Sequence, residues 1–138
     1  MTRTLHAVSG FSGDVVHPDT ADYDSARRVF NGLIDKRPAV VLRCRSRADI
    51  VAAVRHAVGS GIEIAVRCSG HSVAGHSCTD GGILIDLSLM RGVVVDPEHR
   101  IAVVEPGATS HDIDQATARH GLACPGGVVS TTGVGGFT

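Results

Sequence analysis

Residues 66–77, VRCSGHSVAGHS, combine an arginine, two glycines and two histidines with small side chains, directly after an apolar run. Successive backbone N–H groups beside small side chains can form a concave nest that binds phosphate oxygens, and Arg67 at its edge would add a charge-assisted hydrogen bond. Such a loop could hold a pyrophosphate. From spacing alone, an equally good explanation is that the glycines only serve turns.

A second glycine-rich segment, 126–136, favours the ligand-binding interpretation. One domain seldom contains two structureless glycine loops unless both approach the same ligand. The usual dinucleotide fingerprint is absent, because Gly133 and Gly135 in GVGGFT leave its third glycine position on Thr138, and no strand–turn–helix pattern surrounds them. The sequence contains no P-loop lysine motif either.

Metal binding and thiol catalysis are the alternative chemistries for these segments. His71, His76 and Cys78 have the spacing H-x4-H-x-C, which matches none of the usual zinc patterns and lacks an obvious fourth ligand, so no metal site is predicted. Cys78 or Cys124 could act as a nucleophile beside a histidine, but papain-like and caspase-like signatures are missing. Because the four cysteines form no C-x-x-C and no signal peptide is readable, we predict free thiols.

Composition limits the possible partners. The chain has 138 residues, of which 43% are hydrophobic, and this predicts one domain or part of one. A net charge of -1, 3% aromatic residues and no tryptophan argue against nucleic acid and leave a small-molecule partner as the expectation. Neither an apolar signal core nor an apolar run of about 18 residues is present, so we expect no membrane contact and a cytoplasmic location.

The elements that would position the first glycine loop follow from periodicity and caps. Residues 1–21 are predicted as an irregular lead-in, and 20–38 as a helix. A β-branched run, 39–44, predicts a buried strand, and Ser46 with Asp49 forms a capping box that opens the next helix. The apolar faces expected for these two helices are Ala26, Val29, Phe30, Leu33 and Ile34 in the first, and Ile50, Val51, Val54, Ala57 and Val58 in the second.

A further strand is predicted over 62–67, which completes a right-handed βαβ unit with the first loop at the carboxyl end of that strand. Open α/β sheets bind ligands at this edge. Three later strand-like runs within 81–107 predict an antiparallel meander, whose last two strands form a hairpin. Thr109 and Asp112 form a second capping box, and the closing stretch is expected to contain no further element.

The segment RCSGHSVAGHS resembles the R-S-G-G-H loop of the PCMH-type FAD-binding domain in the vanillyl-alcohol oxidase superfamily, especially its berberine-bridge-enzyme-like branch. RPAVVLRCRSRADIVAAVRHA, GGILIDLSLMRGVVVDPEHRIAVVEPGAT and PGGVVSTTGVGGFT resemble successive blocks of the same domain. The resemblance implies an α+β fold in which two subdomains grip an extended FAD. It implies that 22–138 is the amino-terminal part of this domain, truncated at its carboxyl end, with the first βαβ subdomain complete and the second, antiparallel subdomain begun.

The resemblance also implies which residues contact FAD. The first loop would lie at the pyrophosphate, through Arg67, Cys68, Ser69, Gly70, His71, Ser72, Gly75, His76 and Ser77. The second segment would lie along the flavin, through Thr132, Gly133, Val134 and Gly136. Cys68 and Ser69 stand where the family usually has serine and glycine, and the family pattern has no histidine at His76.

His71 matches the histidine that in this family commonly carries the flavin through its 8α-methyl group. Some relatives add a second link, from a cysteine in the later segment. Aligning the shared proline and the closing G-V-G-G puts that cysteine on Val129, five residues after Cys124. Five extended residues span up to about 16 Å, so we expect at most one link, through His71.

The implied function is the FAD-binding portion of a flavin-dependent oxidoreductase that oxidises an alcohol or amine carbon by hydride transfer to FAD. A truncated, non-catalytic flavin-binding or degenerate module is the alternative. The substrate, the electron acceptor, the catalytic base and the oligomeric state are not predicted.

Overall fold

The computed structural model describes residues 8–138, so the first seven residues of the predicted lead-in lie outside the described residues. The strands are β1 (Asp14–Val16), β2 (Val40–Arg43), β3 (Ile64–Arg67), β4 (Ile83–Asp86), β5 (Val93–Asp96) and β6 (Ile101–Val104), and the helices are α1 (Tyr23–Arg27), α2 (Arg47–Ser60), α3 (Ser110–Ala118) and α4 (Val134–Phe137). A four-stranded sheet has the order β1-β2-β4-β3, with β1 antiparallel to β2 and the other neighbours parallel. A separate hairpin pairs β5 with β6. The predicted irregular lead-in is wrong at β1, because these three residues pair with β2.

The sheet separates two apolar cores, because successive residues of a strand point to opposite faces. Residues of α2, including Ala53 and Ala57, lie in the core on one face. Tyr23 and Ala26 of α1 lie in the core on the other. The strand residues Val40, Leu42, Ile83 and Ile85 belong to the first core, and Val41, Ala65 and Leu84 to the second.

The predicted three-stranded meander is wrong in its first strand. β4 lies between β2 and β3 and is parallel to both, so Ile83 is paired with Val40 on one side and Ile64 on the other. All four residues of β4 are buried, the pattern of a central parallel strand with both faces covered. The β5–β6 hairpin, whose residues alternate between exposed and half-buried, agrees with the prediction.

The first predicted helix is much shorter than its periodicity indicated. α1 ends at Arg27, and Arg28 has an extended backbone with φ -64° and ψ 138°. The Phe30 N–H donates to the carbonyl oxygen of Gly70 over 3.1 Å. Phe30 and Leu33 are 68% and 91% exposed, and so do not form a buried helix face. The tertiary hydrogen bond to the glycine loop therefore replaces the helical continuation.

Of the predicted Ser46–Asp49 capping box the structure has the bond to the Ser46 hydroxyl, whereas the Asp49 carboxylate accepts from the Arg45 N–H, and the apolar face predicted for α2 is buried only in part. The Ser46 hydroxyl accepts from the Asp49 N–H over 3.2 Å, and Gly61 closes the helix with a left-handed backbone at φ 63°. Ile50, Val54 and Ala57 pack in or against the core as predicted. Val51 and Val58 are exposed, and Asp49 is buried instead. The capping carboxylate occupies the buried position because it accepts hydrogen bonds there.

The second half of the chain contains α3, capped by Thr109 and Asp112 as predicted, and one element that was not predicted. The single helical turn α4 forms within the closing glycine-rich stretch. Gly133, at the start of this turn, makes an isolated bridge to Thr109. This bridge attaches the second glycine segment to the start of α3. Within 8–138, every helix is too short or too polar to span a bilayer.

Candidate functional site

The two glycine-rich segments meet at the carboxyl end of β3 and line a cavity of about 500 Å³. Most of the predicted site residues surround it: Cys68, Ser69, Gly70, His71, Ser72, His76, Ser77, Thr132, Gly133 and Gly136. Val66, Gly135 and Phe137, which were not predicted, complete the lining. The position agrees with the edge at which open α/β sheets bind ligands.

Close packing between the two segments requires glycine at two positions. A Cβ on Gly133 would lie 2.7 Å from the Ser69 hydroxyl oxygen and 2.9 Å from the Ser69 backbone nitrogen. A Cβ on Gly135 would lie 2.8 Å from both the Cys68 sulfur and the Pro106 carbonyl oxygen. These glycines therefore let the second segment lie directly against the first.

The first loop offers unpaired hydrogen-bond donors to the cavity. Within 8–138, the backbone N–H groups of residues 69–72 have no hydrogen-bond partner. Gly70 has a left-handed backbone, with φ 80°. Successive unpaired N–H groups at such a bend form the concave arrangement that binds anions.

His71 is held by two residues that the sequence interpretation did not assign to the site. Its Nε2 lies 3.0 Å from the Thr131 hydroxyl oxygen. Its ring stacks on Phe30, with a centroid separation of 4.3 Å and an angle of 20° between the planes. Thr131 stands next to the predicted Thr132, whereas Phe30 was assigned to a buried helix face, so no local signal indicated either contact.

Arg67, Gly75 and Val134 do not line the cavity. The buried Arg67 guanidinium donates to the Asp86 carboxylate over 2.6 Å and to the Arg28 carbonyl over 3.0 Å. In this arrangement Arg67 connects the start of the loop to β4 and to the residue after α1. Gly75 packs against Ile34 with a left-handed backbone, and the Val134 N–H donates to the Ala108 carbonyl oxygen. FAD contact by Arg67, Gly75 and Val134 stays a prediction.

Comparison with known families accounts for this arrangement. The family model described as FAD binding domain matches residues 38–138. The chain belongs to this FAD-binding domain family. The predicted α+β fold and its PCMH-type, berberine-bridge-enzyme-like resemblance are thereby confirmed, and FAD is the cofactor.

The relatives of this FAD-binding domain are FAD-linked oxidoreductases. It is 33% identical over 137 residues to (R)-6-hydroxynicotine oxidase of Paenarthrobacter nicotinovorans, covering 99% of this chain and 30% of the relative. The crystal structure of 6-hydroxy-D-nicotine oxidase from Arthrobacter nicotinovorans superimposes with a TM-score of 0.89 at 33% identity, over 94% of this chain and 28% of that one. The structure of the D396N variant of BBE-like 1 from Physcomitrella patens superimposes with a TM-score of 0.85 at 25% identity, over 90% of this chain and 28% of that one. The chain thus spans under a third of each of these proteins.

The residues around the cavity fit FAD. The Ser77 hydroxyl is buried, lines the cavity and has no hydrogen-bond partner within the described part of the chain. A buried, unpaired polar group costs about 1–3 kcal/mol, which a ligand oxygen could offset. Together with the unpaired N–H groups of the first loop, Ser77 offers the donors that a pyrophosphate requires.

The cysteines of the FAD-binding domain are all free thiols, as predicted. Burial raises the pKa of Cys44 to about 12 and also raises the pKa of Cys78, which opposes the thiolate that a nucleophile needs. Cys124 is exposed and lines a separate cavity beside Pro125 and Gly126. Among residues 8–138, no group of three or more His, Cys, Asp or Glu side chains is arranged to hold a metal ion.

Proposed function

We propose that this FAD-binding domain is the amino-terminal part of a longer oxidoreductase that oxidises an alcohol or amine carbon by hydride transfer to FAD. The observation that carries the proposal is the cavity between the two glycine segments, with its unpaired N–H groups and the unpaired Ser77 hydroxyl. The similarity to (R)-6-hydroxynicotine oxidase over 99% of the chain supports it. A small-molecule substrate, a cytoplasmic location and the lack of a nucleic-acid partner remain predictions of the sequence.

The chain's own residues would bind and orient the cofactor. Backbone N–H groups of residues 69–72 and the Ser77 hydroxyl would donate to phosphate oxygens. Residues 132–136 would lie against the flavin, with Gly133 and Gly135 keeping the two segments in contact. When bound, the flavin supplies a two-electron acceptor for hydride.

We propose further that His71 is the attachment point of a covalent flavin. A neutral imidazole nitrogen is a nucleophile near physiological pH, provided that the ring is held in a suitable orientation. The stacking on Phe30 and the hydrogen bond with Thr131 provide such orientation in this chain.

FAD binding is tested by the visible spectrum of the purified full-length protein. We expect flavin absorption as isolated or, for the apo protein, a rise of several degrees in melting temperature on adding FAD, because a ligand at 100 times its Kd stabilises by about 2.7 kcal/mol. Ser77→Ala should weaken FAD binding, whereas Ser60→Ala, at the far end of α2, serves as the control.

Lack of flavin absorption together with an unchanged melting temperature would contradict the proposal. Bound FAD that alcohols and amines fail to reduce would instead support the alternative of a non-catalytic flavin-binding module. Reduction of the flavin by such a substrate distinguishes the two possibilities directly.

A further inference from the structure

Residues 28–30 leave α1 and run alongside the first glycine loop. Arg67 donates to the Arg28 carbonyl over 3.0 Å, and the Phe30 N–H donates to the Gly70 carbonyl over 3.1 Å. The Phe30 ring then lies 4.3 Å from the His71 ring, centroid to centroid, with 20° between the planes. Two hydrogen bonds thus fix the backbone from which the Phe30 side chain reaches the imidazole.

The two contacts on the His71 ring restrict different motions. Stacking on Phe30 defines the plane of the imidazole, and the hydrogen bond between Nε2 and Thr131 limits rotation within that plane. Within residues 8–138, Nδ1 has no hydrogen-bond partner. The arrangement therefore holds the ring while one nitrogen stays unpaired.

Burial does not explain the Phe30 side chain, which is 68% exposed. A side chain exposed to that extent contributes little to a core, whereas a stacked aromatic pair has a defined orientation. We propose that Phe30 is a positioning residue, which holds the His71 imidazole in the orientation required for covalent attachment of the flavin. The inference rests on the proposed attachment through His71.

The proposed attachment is a two-electron oxidation of the 8α-methyl carbon of the flavin. One C–H bond of the 8α-methyl group is replaced by a bond to an imidazole nitrogen, and the imidazole loses its N–H proton. The carbon is oxidised by two electrons, which the flavin ring takes up together with two protons. Dioxygen or another electron acceptor then reoxidises the ring. Orientation affects the rate of this step because the nitrogen must approach the carbon along a narrow range of directions.

The experiment follows covalent incorporation in the full-length protein, produced without flavin and then mixed with FAD. Intact-protein mass spectrometry after acid quenching measures the attached fraction, and absorption measures the total bound flavin. We compare F30A, F30L, which keeps apolar volume without an aromatic ring, and F30Y, which keeps the ring. L33A is the matched control, because Leu33 lies three residues further along the same connection between α1 and β2 and is 91% exposed.

We expect F30A and F30L to slow attachment about tenfold, equivalent to about 1.4 kcal/mol in the barrier. F30Y and L33A should react at nearly the wild-type rate, and all four variants should keep the wild-type melting temperature and non-covalent FAD binding. Equal attachment rates in F30A, F30L and wild type would overturn the role of Phe30 and leave attachment through His71 standing. Loss of FAD binding itself in both F30A and F30L would also overturn it.

A wild-type protein whose flavin is entirely released by acid would overturn both the attachment and the role of Phe30. The absorption measurement would still report FAD binding, so failure of the cofactor proposal is distinguished from failure of this inference.

Discussion

Substitutions at His71 and at Cys124 distinguish the two candidate sites of covalent flavin attachment. In the full-length protein we expect acid denaturation to release the flavin from His71→Ala but not from Cys124→Ser. His71 lines the cavity between the glycine segments, whereas the Cys124 sulfur is exposed, lies 3.7 Å from the Pro125 carbonyl oxygen and faces another cavity. Peptide mass spectrometry measures the linkage, and flavin on a peptide containing Cys124 would contradict the assignment.

The sequence was sufficient to place single residues at the site where the signal is a local motif. The small side chains of 68–77 and the family motif placed His71 and Ser77 at the cavity, where the structure has them. Partners distant in sequence were not predictable: His71 meets Thr131 across 60 residues, and Arg67 meets Asp86 across 19. Periodicity carries no information about such contacts, which is why Arg67 was expected at the phosphate and lies in an ion pair.

The element that joins the two glycine segments is the start of α4, and Gly133 tests it. Gly133→Ala would bring a Cβ within 2.9 Å of the Ser69 backbone nitrogen, so the segments must separate. We expect about a tenfold weaker FAD affinity, equivalent to about 1.4 kcal/mol. Fluorescence titration in a His71→Ala background measures the non-covalent affinity.

The matched control for Gly133→Ala is Gly126→Ala in the same glycine-rich segment. There a Cβ would meet only ordinary contacts, at 3.8 Å from the Ser110 hydroxyl oxygen and 3.9 Å from the Cys124 carbonyl oxygen. Equal FAD affinities for the two variants would show that contact between the segments does not support binding.

Elements whose caps and apolar runs agree were predictable from the sequence, as α2, α3 and the β5–β6 hairpin demonstrate. The order of strands was not predictable, because β4 follows the first glycine loop in the chain but lies between β2 and β3 in the sheet. Its unbroken apolar run, Ile83 to Ile85, was the available signal, since a meander strand with one exposed face would alternate apolar and polar residues.

At the scale of the whole molecule, the site joins two structural units. The loop after β3 belongs to the mixed sheet, whereas the second glycine segment follows α3 and is attached to it by the Thr109–Gly133 bridge. Asp86, on the central strand β4, holds the first loop through Arg67, so the loop is positioned by the core of the sheet. Stability of the sheet and geometry of the cavity are therefore coupled.

The buried Asp49 carboxylate connects three parts of that sheet unit and makes its stability depend on pH. It accepts from the backbone N–H groups of Ser12 and Arg45 over 2.7 and 3.0 Å, and from the hydroxyls of Ser12 and Ser46 over 2.9 Å each. Burial alone would raise the pKa of Asp49, but these hydrogen bonds outweigh burial and lower it well below its ordinary value of 3.8.

Because the folded-state pKa of Asp49 is lowered, its stabilisation is fully present above the unfolded-state pKa and is lost as the pH falls towards the folded-state value. Asp49→Asn should lower the free energy of unfolding by about 1–3 kcal/mol at pH 7. The difference in unfolding free energy between wild type and Asp49→Asn should become steadily smaller below about pH 4. Urea unfolding across this range measures it, with the exposed Asp19→Asn as the charge-matched control. A gap that is constant from pH 7 to pH 2, or one no larger than that of Asp19→Asn, would show that the buried carboxylate does not stabilise the fold through its charge.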